Sequence, residues 1–418
     1  MAKQVLQDVI GTDASPGLVR EMRPEEKREV HRLMRRSFNW FTSLFFDFGS
    51  KAYVYALDGA IVAGITLSVF PIGGGMGAFR RRRASRRGGV VKWVFTAPEA
   101  RGCGAAGELV DAALKWFDHQ ECTKVFACIE GHNTGSSNIF ARRGFEPLPF
   151  SRQVREYRWS LPRVWLDTFH LIDVGHFLWA RGTFGTAPAV PGAPADADGV
   201  EPADGGAPAS LITVVMQAIA LVFLASRWGW TDDVLTLAWQ ATVAVALVIG
   251  MRLAAMALTA RAFDWRLSYR PWETGLLLSF VLGATGLGIL PAPGSLYPRT
   301  RAWSYSRELG RFGPVAYAGA LAVLVTGWIL HLVTGAGPTQ AVTINLRLLP
   351  VGPAARDLIS GSLRLGLVYA RILLIFEVLL PFFPFTCFNG RRVMDWRRPS
   401  MGVLVVGTLL LWAAAYLV

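Results

Sequence analysis

Up to about residue 160, apolar and polar positions alternate in short runs, whereas from Leu211 onward the apolar runs are long and nearly unbroken. The first part reads as alternating strands and helices. "GLVREMRP" predicts a strand and "EEKREVHRLMRRSF" a helix, acidic at its start and basic at its end as the helix dipole favours. "KAYVYALDGAIVAGITLSVFPI" predicts two strands joined at Asp58-Gly59, a strong hairpin signal. "VVKWVFTA" is a strand, followed by a glycine-rich turn and a helix ending in "KWF". The strand "KVFACIEGHN", a short helix in "SSNIFARRG" and two closing strands, "FEPLPF" and "QVREYRWSL", complete the order β, α, β, β, β, α, β, α, β, β. This sets residues 1–160 apart as an α+β domain.

Residues 161–181 predict an amphipathic helix at a lipid headgroup boundary, carrying Trp165, Phe169, Phe177 and Trp179. His170, Asp173 and His176 belong to that helix in this reading rather than to a metal site. Residues 182–210 are rich in Ala, Pro, Gly and Asp with no hydrophobic period, the composition of a flexible linker. Residues 211–418 form an all-α polytopic membrane domain of six apolar segments, each long enough or nearly so to cross ~30 Å of hydrocarbon. Six crossings from a cytosolic N-terminus would strand Arg391, Arg392, Arg397 and Arg398 outside. If the glycine-rich third segment is re-entrant, five spans remain and the arginine clusters fall on the cytosolic side, with the C-terminus outside.

Composition agrees with a membrane protein. The chain of 418 residues is 52% hydrophobic, with a mean hydropathy of +0.35, more apolar than soluble domains allow. Its net charge of +13 could suit nucleic acid, but in a chain with apolar spans arginine marks cytoplasmic loops and anionic lipid. Membrane lipid is therefore the expected partner, and nucleic acid is not. The four cysteines have no metal-type spacing, and "MAKQVLQDVIGTDASPG" lacks the apolar core of a signal peptide. No metal is expected, and a cytosolic setting at the plasma membrane is.

The turn Arg101-Gly102-Cys103-Gly104-Ala105-Ala106 sits between strand and helix. A helix N-terminus offers unpaired N–H groups and partial positive charge, a seat for phosphate. The two glycines let the backbone curl, the alanines keep the approach open, and Arg101 adds charge. A tight connection without a ligand is the other reading of the same letters. The surrounding order is not the βαβ unit that a dinucleotide fingerprint requires.

Order and turn together resemble the GNAT superfamily of N-acetyltransferases, whose signature R/Q-x-x-G-x-G/A follows the fourth strand. "NTGSSNIFARRGF" is similar to that family's second motif, with Asn133 at the end of strand five and Gly144-Phe145 after a short helix. The resemblance covers about residues 15–160. It implies a GNAT fold, a central, mostly antiparallel sheet flanked by helices, and acetyl-CoA or another acyl-CoA as co-substrate. It places the pyrophosphate on Arg101, Gly102, Cys103, Gly104, Ala105 and Ala106, the pantetheine arm beside Val94, Phe95 and Thr96, and Asn133 at the cofactor. The family commonly has a tyrosine as acid four residues before the Gly of Gly-Phe; Phe140 stands there. For the base, Cys128, Glu130 and His132 alternate on one strand face, and Glu130 or His132 is the candidate, directly or through water. Arg80 to Arg83, Arg86 and Arg87 could reach the CoA 3′-phosphate, an acidic substrate or anionic lipid, or form a solvated loop.

In the second half, "MRLAAMALTARAF" with "ELGRFGPVAYAG", and "PFFPFTCFNGRRVMDW", resemble site-2-protease-type intramembrane metallopeptidases. Zinc there needs two imidazoles a helical turn apart, an oxygen ligand and a carboxylate base. The corresponding positions hold Arg252, Leu253, Met256, Asn389 and Pro381, so the resemblance implies a pseudoprotease. The reading as a whole is a membrane-anchored N-acetyltransferase acting on an amine of a small molecule, peptide or protein at the cytosolic face. Its alternative is a non-catalytic membrane binding or regulatory protein with a CoA-sensing or structural GNAT fold.

Overall fold

The structure, a computed structural model, describes residues 17–38, 43–72, 86–171, 176–182, 207–230, 233–299, 303–334, 352–381 and 387–414. These divide into two compact units. The first holds the described residues of Met1–Ile129, Gly135–Leu148 and Arg152–Ala197; the second holds those of Glu130–Thr134, Pro149–Ser151 and Asp198–Val418.

The first elements are β1 (Leu18–Glu21), α1 (Lys27–Ser37), β2 (Lys51–Leu57), β3 (Ala60–Ile72), β4 (Arg86–Thr96), α2 (Ala105–His119), β5 (Cys122–Glu130), α3 (Thr134–Ala141) and β6 (Glu146–Pro147). This follows the order predicted from the sequence. Helix α1 buries Val30, Leu33 and Met34, the i, i+3, i+4 stripe of an amphipathic helix, and keeps Arg35 and Arg36 in its last turn. At the hairpin, Asp58 and Gly59 have φ of 50° and 81°, the double positive φ of a two-residue turn that matches strand twist.

The closing segment differs from expectation. "QVREYRWSL" is not a strand: Phe150–Tyr157 is helix α4, which buries Gln153 and Tyr157 one turn apart. Nor is there one helix over 161–181. Leu161–Asp167 is a seven-residue helix, α5, and His176–Gly182 is strand β7. Strand β7 lies between β5 and β6 in a seven-stranded sheet of order β1-β2-β3-β4-β5-β7-β6. Its neighbouring residues Leu178 and Trp179 point to opposite faces and both are buried, so the strand is covered on both sides; Phe177 and Trp179 join the core beneath α2 instead of a headgroup boundary. The first domain therefore extends to residue 182. Asp173 and most of the linker fall outside the described residues, as do Arg80 to Arg83.

Two hydrophobic layers flank the sheet. Leu109, Val110, Ala113, Leu114 and Phe117 of α2 pack with Ile65, Leu67, Val91, Val125 and Ala127; Val30, Leu33 and Met34 of α1 pack with Val54, Ile61 and Phe95. Burying each of the larger side chains contributes roughly 1.5–3 kcal/mol. Strand β4 pairs antiparallel with β3 along its whole length. With β5 it pairs in parallel only from Arg87↔Cys122 to Val91↔Ala127. The parallel ladder ends at Val91↔Ala127, and the sheet opens beyond it, between residues 92–96 of β4 and 128–130 of β5.

The second unit is helical: α6 (Ala207–Arg227), α7 (Val234–Ala262), α8 (Glu273–Thr285), α9 (Tyr305–Thr334), α10 (Pro353–Leu374), α11 (Gly390–Trp396) and α12 (Arg398–Ala413), with a small antiparallel pair β8 (Leu267–Arg270) and β9 (Ser295–Pro298). Among the described residues three helices are long and apolar enough to cross a membrane: Pro208–Arg227, Val234–Ala262 and Tyr305–Thr334. These are the first, second and fourth of the six apolar segments; the sixth is the shorter apolar helix Arg398–Ala413. Helix α8, the segment expected to be re-entrant, has 13 residues and rises only ~20 Å, short of a ~30 Å core. Helix α10 carries Arg356, Asp357, Arg364 and Arg371 among its 22 residues and continues directly into a π-helical stretch, Ile375–Leu379.

Candidate active site

The site is built first on the turn between β4 and α2. Gly102 and Gly104 have φ of 96° and 87°, a left-handed conformation that side-chain-bearing residues pay to adopt. A Cβ added at either glycine would meet nothing within 4 Å. Packing therefore does not demand glycine here; the backbone conformation and the open space over the helix end do. Gly104 is the N-cap of α2 and offers no side-chain cap. The amides of Gly107 and Glu108 bond back to the Gly104 carbonyl at 2.9 and 3.3 Å, so the amides ahead of them lack intrahelical partners. Arg101, Gly102, Cys103 and Gly104 are exposed, while Ala105 is buried and anchors the helix start. Such a nest of N–H groups and partial positive charge can hold a phosphate or pyrophosphate.

Val94, Phe95 and Thr96 lie on the part of β4 beyond its pairing with β5; they pair with Ile65, Gly64 and Ala63 of β3. Their β5-facing backbone edge is thus available to an extended ligand arm. Phe140 is buried, edge-on to Phe145 at 4.9 Å between ring centroids and 88° between planes.

Glu130 ends β5 and is half-buried. Asn133 is exposed in the following turn, where its amide bonds the Glu130 carbonyl at 2.9 Å. Both residues, with His132, fall in the run assigned to the second unit. There the Arg392 Nε–H donates to His132 Nε2 at 2.9 Å, and the His132 ring stacks on Tyr305 at 4.7 Å. Burial, and then the Arg392 and Arg391 charges, push the His132 imidazole well below its ordinary pKa. Its Nε2 lone pair is occupied and it stays neutral.

In the same unit, the aligned positions of the second resemblance converge. Arg252 is fully buried and forms an ion pair with Glu377, Nε–Oε1 3.0 Å, and donates to the carbonyls of Gly294 and Cys387, each at 2.9 Å. The Asn389 side-chain amide lies 3.5 Å from the Met256 sulfur. Leu253 packs beside Met256, and Pro381 is half-buried. Among the described residues no three or more His, Cys, Asp or Glu side chains gather as a metal-binding group. Sequence reasoning missed the Arg252–Glu377 pair because 125 positions separate its members.

Residues 16–145 match the model of the Acetyltransferase (GNAT) family. A search of curated proteins returned no match. Among solved structures, the chain is similar to a structure titled as the NatC complex bound to Gag peptide and CoA, at 14% identity over 40% of this chain and 99% of that one, TM-score 0.28. It is also similar to N-acetylglutamate synthase from Neisseria gonorrhoeae, complexed with coenzyme A and N-acetyl-glutamate, at 14% identity over 40% of this chain and 35% of that one, TM-score 0.27. A third is Ard1 from Thermoplasma volcanium, at 18% identity over 40% of this chain and 98% of that one, TM-score 0.27.

Proposed function

From the GNAT acetyltransferase domain at residues 16–145, we propose that the protein is a membrane-anchored N-acyltransferase that moves an acetyl or other acyl group from acyl-CoA to an amine. The observation that carries this reading is the turn: two glycines in the left-handed region open the head of α2 at the place where the matched family pattern calls for pyrophosphate. Backbone amides of Gly102 to Ala106 hold the pyrophosphate, Arg101 adds a positive charge, and the pantetheine arm runs along Val94, Phe95 and Thr96 where β4 parts from β5. Asn133 lines the cofactor at the end of β5.

Transfer needs a neutral amine, attack on the thioester carbonyl, and a proton for the departing thiolate. Glu130 takes the amine proton, directly or through water. His132 is the weaker candidate, because its Nε2 already accepts from Arg392. Phe140 supplies no acid, so the thiolate is protonated by solvent; a thiolate is a good enough leaving group for this.

The three long apolar helices support membrane association. In this reading the segment between β7 and α6 joins the transferase to the helical unit at the cytosolic face of the plasma membrane, in contact with lipid. The helical unit is a pseudoprotease-like membrane domain in which Arg252, a tethered cation, stands at a former zinc-ligand position. The acceptor is an amine of a peptide, protein or small molecule. The buried Phe140 and the occupied His132 favour a second reading, a non-catalytic CoA-sensing membrane protein.

Calorimetry of acetyl-CoA against the full chain in detergent tests the first step, with Gly104→Val as control. Binding that the variant loses is the expected result, and absence of binding in the native chain rejects the proposal. Turnover with any amine then separates enzyme from sensor.

A further inference from the structure

Strand β5 leaves β4 after the pair Val91↔Ala127, so Cys128 is the first β5 residue to flank the opening. Its Sγ lies 3.8 Å from Nδ1 of His170 and donates to the Thr168 carbonyl at 3.3 Å. His170 is fully buried, which fixes the imidazole in place. Trp165 packs edge-on against its ring at 5.5 Å, and the Trp165 indole is itself held by Gln153 at 2.8 Å. The backbone on both sides is pinned: the Thr168 amide bonds the Val164 carbonyl and the Leu171 amide bonds that of Trp165. Phe169, between them, takes a φ of 62°, a strained conformation for a residue with a side chain. Across the opening, Lys92 is the next residue of β4; it pairs with Asp47 at 2.5 Å and sits over the Phe169 ring at 4.6 Å.

The other cysteines lack this setting. Cys122 and Cys387 are buried and Cys103 is exposed; burial pushes the Cys122 thiol up to about 11. Cys128 alone of the four combines partial exposure with a neighbouring imidazole, the arrangement that activates a thiol as a nucleophile.

We propose that Cys128 and His170 form a thiol–imidazole pair that accepts the acyl group from acyl-CoA before it passes to the amine. This rests on the acyl-CoA reading above and replaces its direct attack by the amine with two transfers, in which His170 and not solvent protonates the CoA thiolate. Rotation about Cβ–Sγ turns the thiol proton from the Thr168 carbonyl to His170 Nδ1. The Cys128 sulfur attacks the thioester carbonyl, the bond from that carbon to the CoA sulfur breaks, and CoA thiolate leaves with the proton from His170. The neutral amine then attacks the acyl-Cys128 carbonyl carbon, the bond from that carbon to Sγ breaks, the amine proton goes to Glu130, two residues along the same strand face, and Glu130 passes that proton through water to the departing Cys128 thiolate.

The full chain in detergent, incubated with acetyl-CoA and no amine, is digested and its Cys128 peptide examined by mass spectrometry, while calorimetry on the same sample follows acetyl-CoA binding. The expected result is an acetyl group on Cys128, removable by neutral hydroxylamine, absent in Cys128→Ser and roughly tenfold scarcer in His170→Gln. Binding without any adduct, or full turnover in Cys128→Ser, overturns the relay and leaves the acyltransferase reading standing. Absence of binding removes both. A second measurement needs no acyl-CoA: iodoacetamide should alkylate Cys128 roughly tenfold faster in the native chain than in His170→Gln, and equal rates overturn the pairing.

Discussion

The Arg252 guanidinium and the Glu377 carboxylate meet at 3.0 Å, and neither side chain reaches solvent. Two main-chain carbonyls, of Gly294 and Cys387, take further guanidinium protons. The pair thereby ties α7, the loop before β9, the π-helical stretch Ile375–Leu379 that continues α10, and the segment leading to α11. Removing one member of a buried pair leaves the other as an uncompensated charge, at about 3–5 kcal/mol. Glu377→Gln should therefore lower the thermal unfolding midpoint in detergent sharply. Replacing both members, Arg252→Met with Glu377→Leu, should recover most of that loss, since apolar groups of similar volume commonly match a buried pair. Equal damage from single and double variants would show that the carbonyl contacts, not the pair, hold these segments.

The glycine turn makes a separable prediction. In Gly104→Ala the new methyl meets nothing within 4 Å, so the cost to folding is only the left-handed backbone, about 1–2 kcal/mol. The methyl projects into the space over the helix end, and acetyl-CoA affinity should fall by at least about tenfold, roughly the loss of one good contact. Gly107→Ala is the control. Its methyl would meet the end of the Arg143 side chain at 2.8 Å, which is tied to Asp111, so it should lower stability and spare affinity.

How far the sequence carried depended on the range of the interactions. Asp58-Gly59, the α1 stripe and the glycine turn are local signals, and each lies where its letters predicted. Strand β7 is not local: "HFLWARG" becomes a strand only because β5 and β6 flank it, and its buried aromatics look equally like an interfacial helix when read alone. Helix α4 was hidden for a related reason. Tyr157, Trp159 and Leu161 alternate as a strand would, yet the residues that matter are Gln153 and Tyr157, one turn apart, and a buried Gln carries no hydrophobic signature. Cys128 and His170 are 42 positions apart, and no spacing rule links a strand cysteine to a histidine in a loop.

Arg20 and Glu26 tie β1 to the approach to α1 at 2.6 Å, with side chains 24% and 16% exposed. The Arg20 hydrogen bond, against the cost of burial and helped by the Arg23 amide, holds the Glu26 carboxyl at about 2. A carboxyl depressed in the folded state stabilises it above the unfolded value of 4.5 and loses that contribution as pH falls toward 2. Because the pair is partly wet, its worth is about 1 kcal/mol. Urea unfolding of the native chain and Glu26→Gln should differ by that amount at pH 7, and the gap should close between pH 4.5 and the acid limit.

Glu130 and His132 compete for the role of base, and their surroundings divide them. The His132 Nε2 accepts from Arg392 at 2.9 Å, so its lone pair cannot also receive an amine proton. Its depressed pKa, set by burial and then by Arg392 and Arg391, means that lowering pH protonates the unfolded chain first and leaves His132 neutral through the physiological range. His132→Gln, which keeps a hydrogen-bonding side chain at that position, should therefore change kcat by less than about tenfold. Glu130→Gln keeps shape but cannot take a proton, and should lower kcat by about 10²–10⁴ with KM for acyl-CoA nearly unchanged, because the turn that holds the pyrophosphate is untouched. Steady-state kinetics of the two variants against one amine decides the matter: a large kcat loss in His132→Gln with full activity in Glu130→Gln would move the base to the imidazole and require Arg392 to release it during turnover.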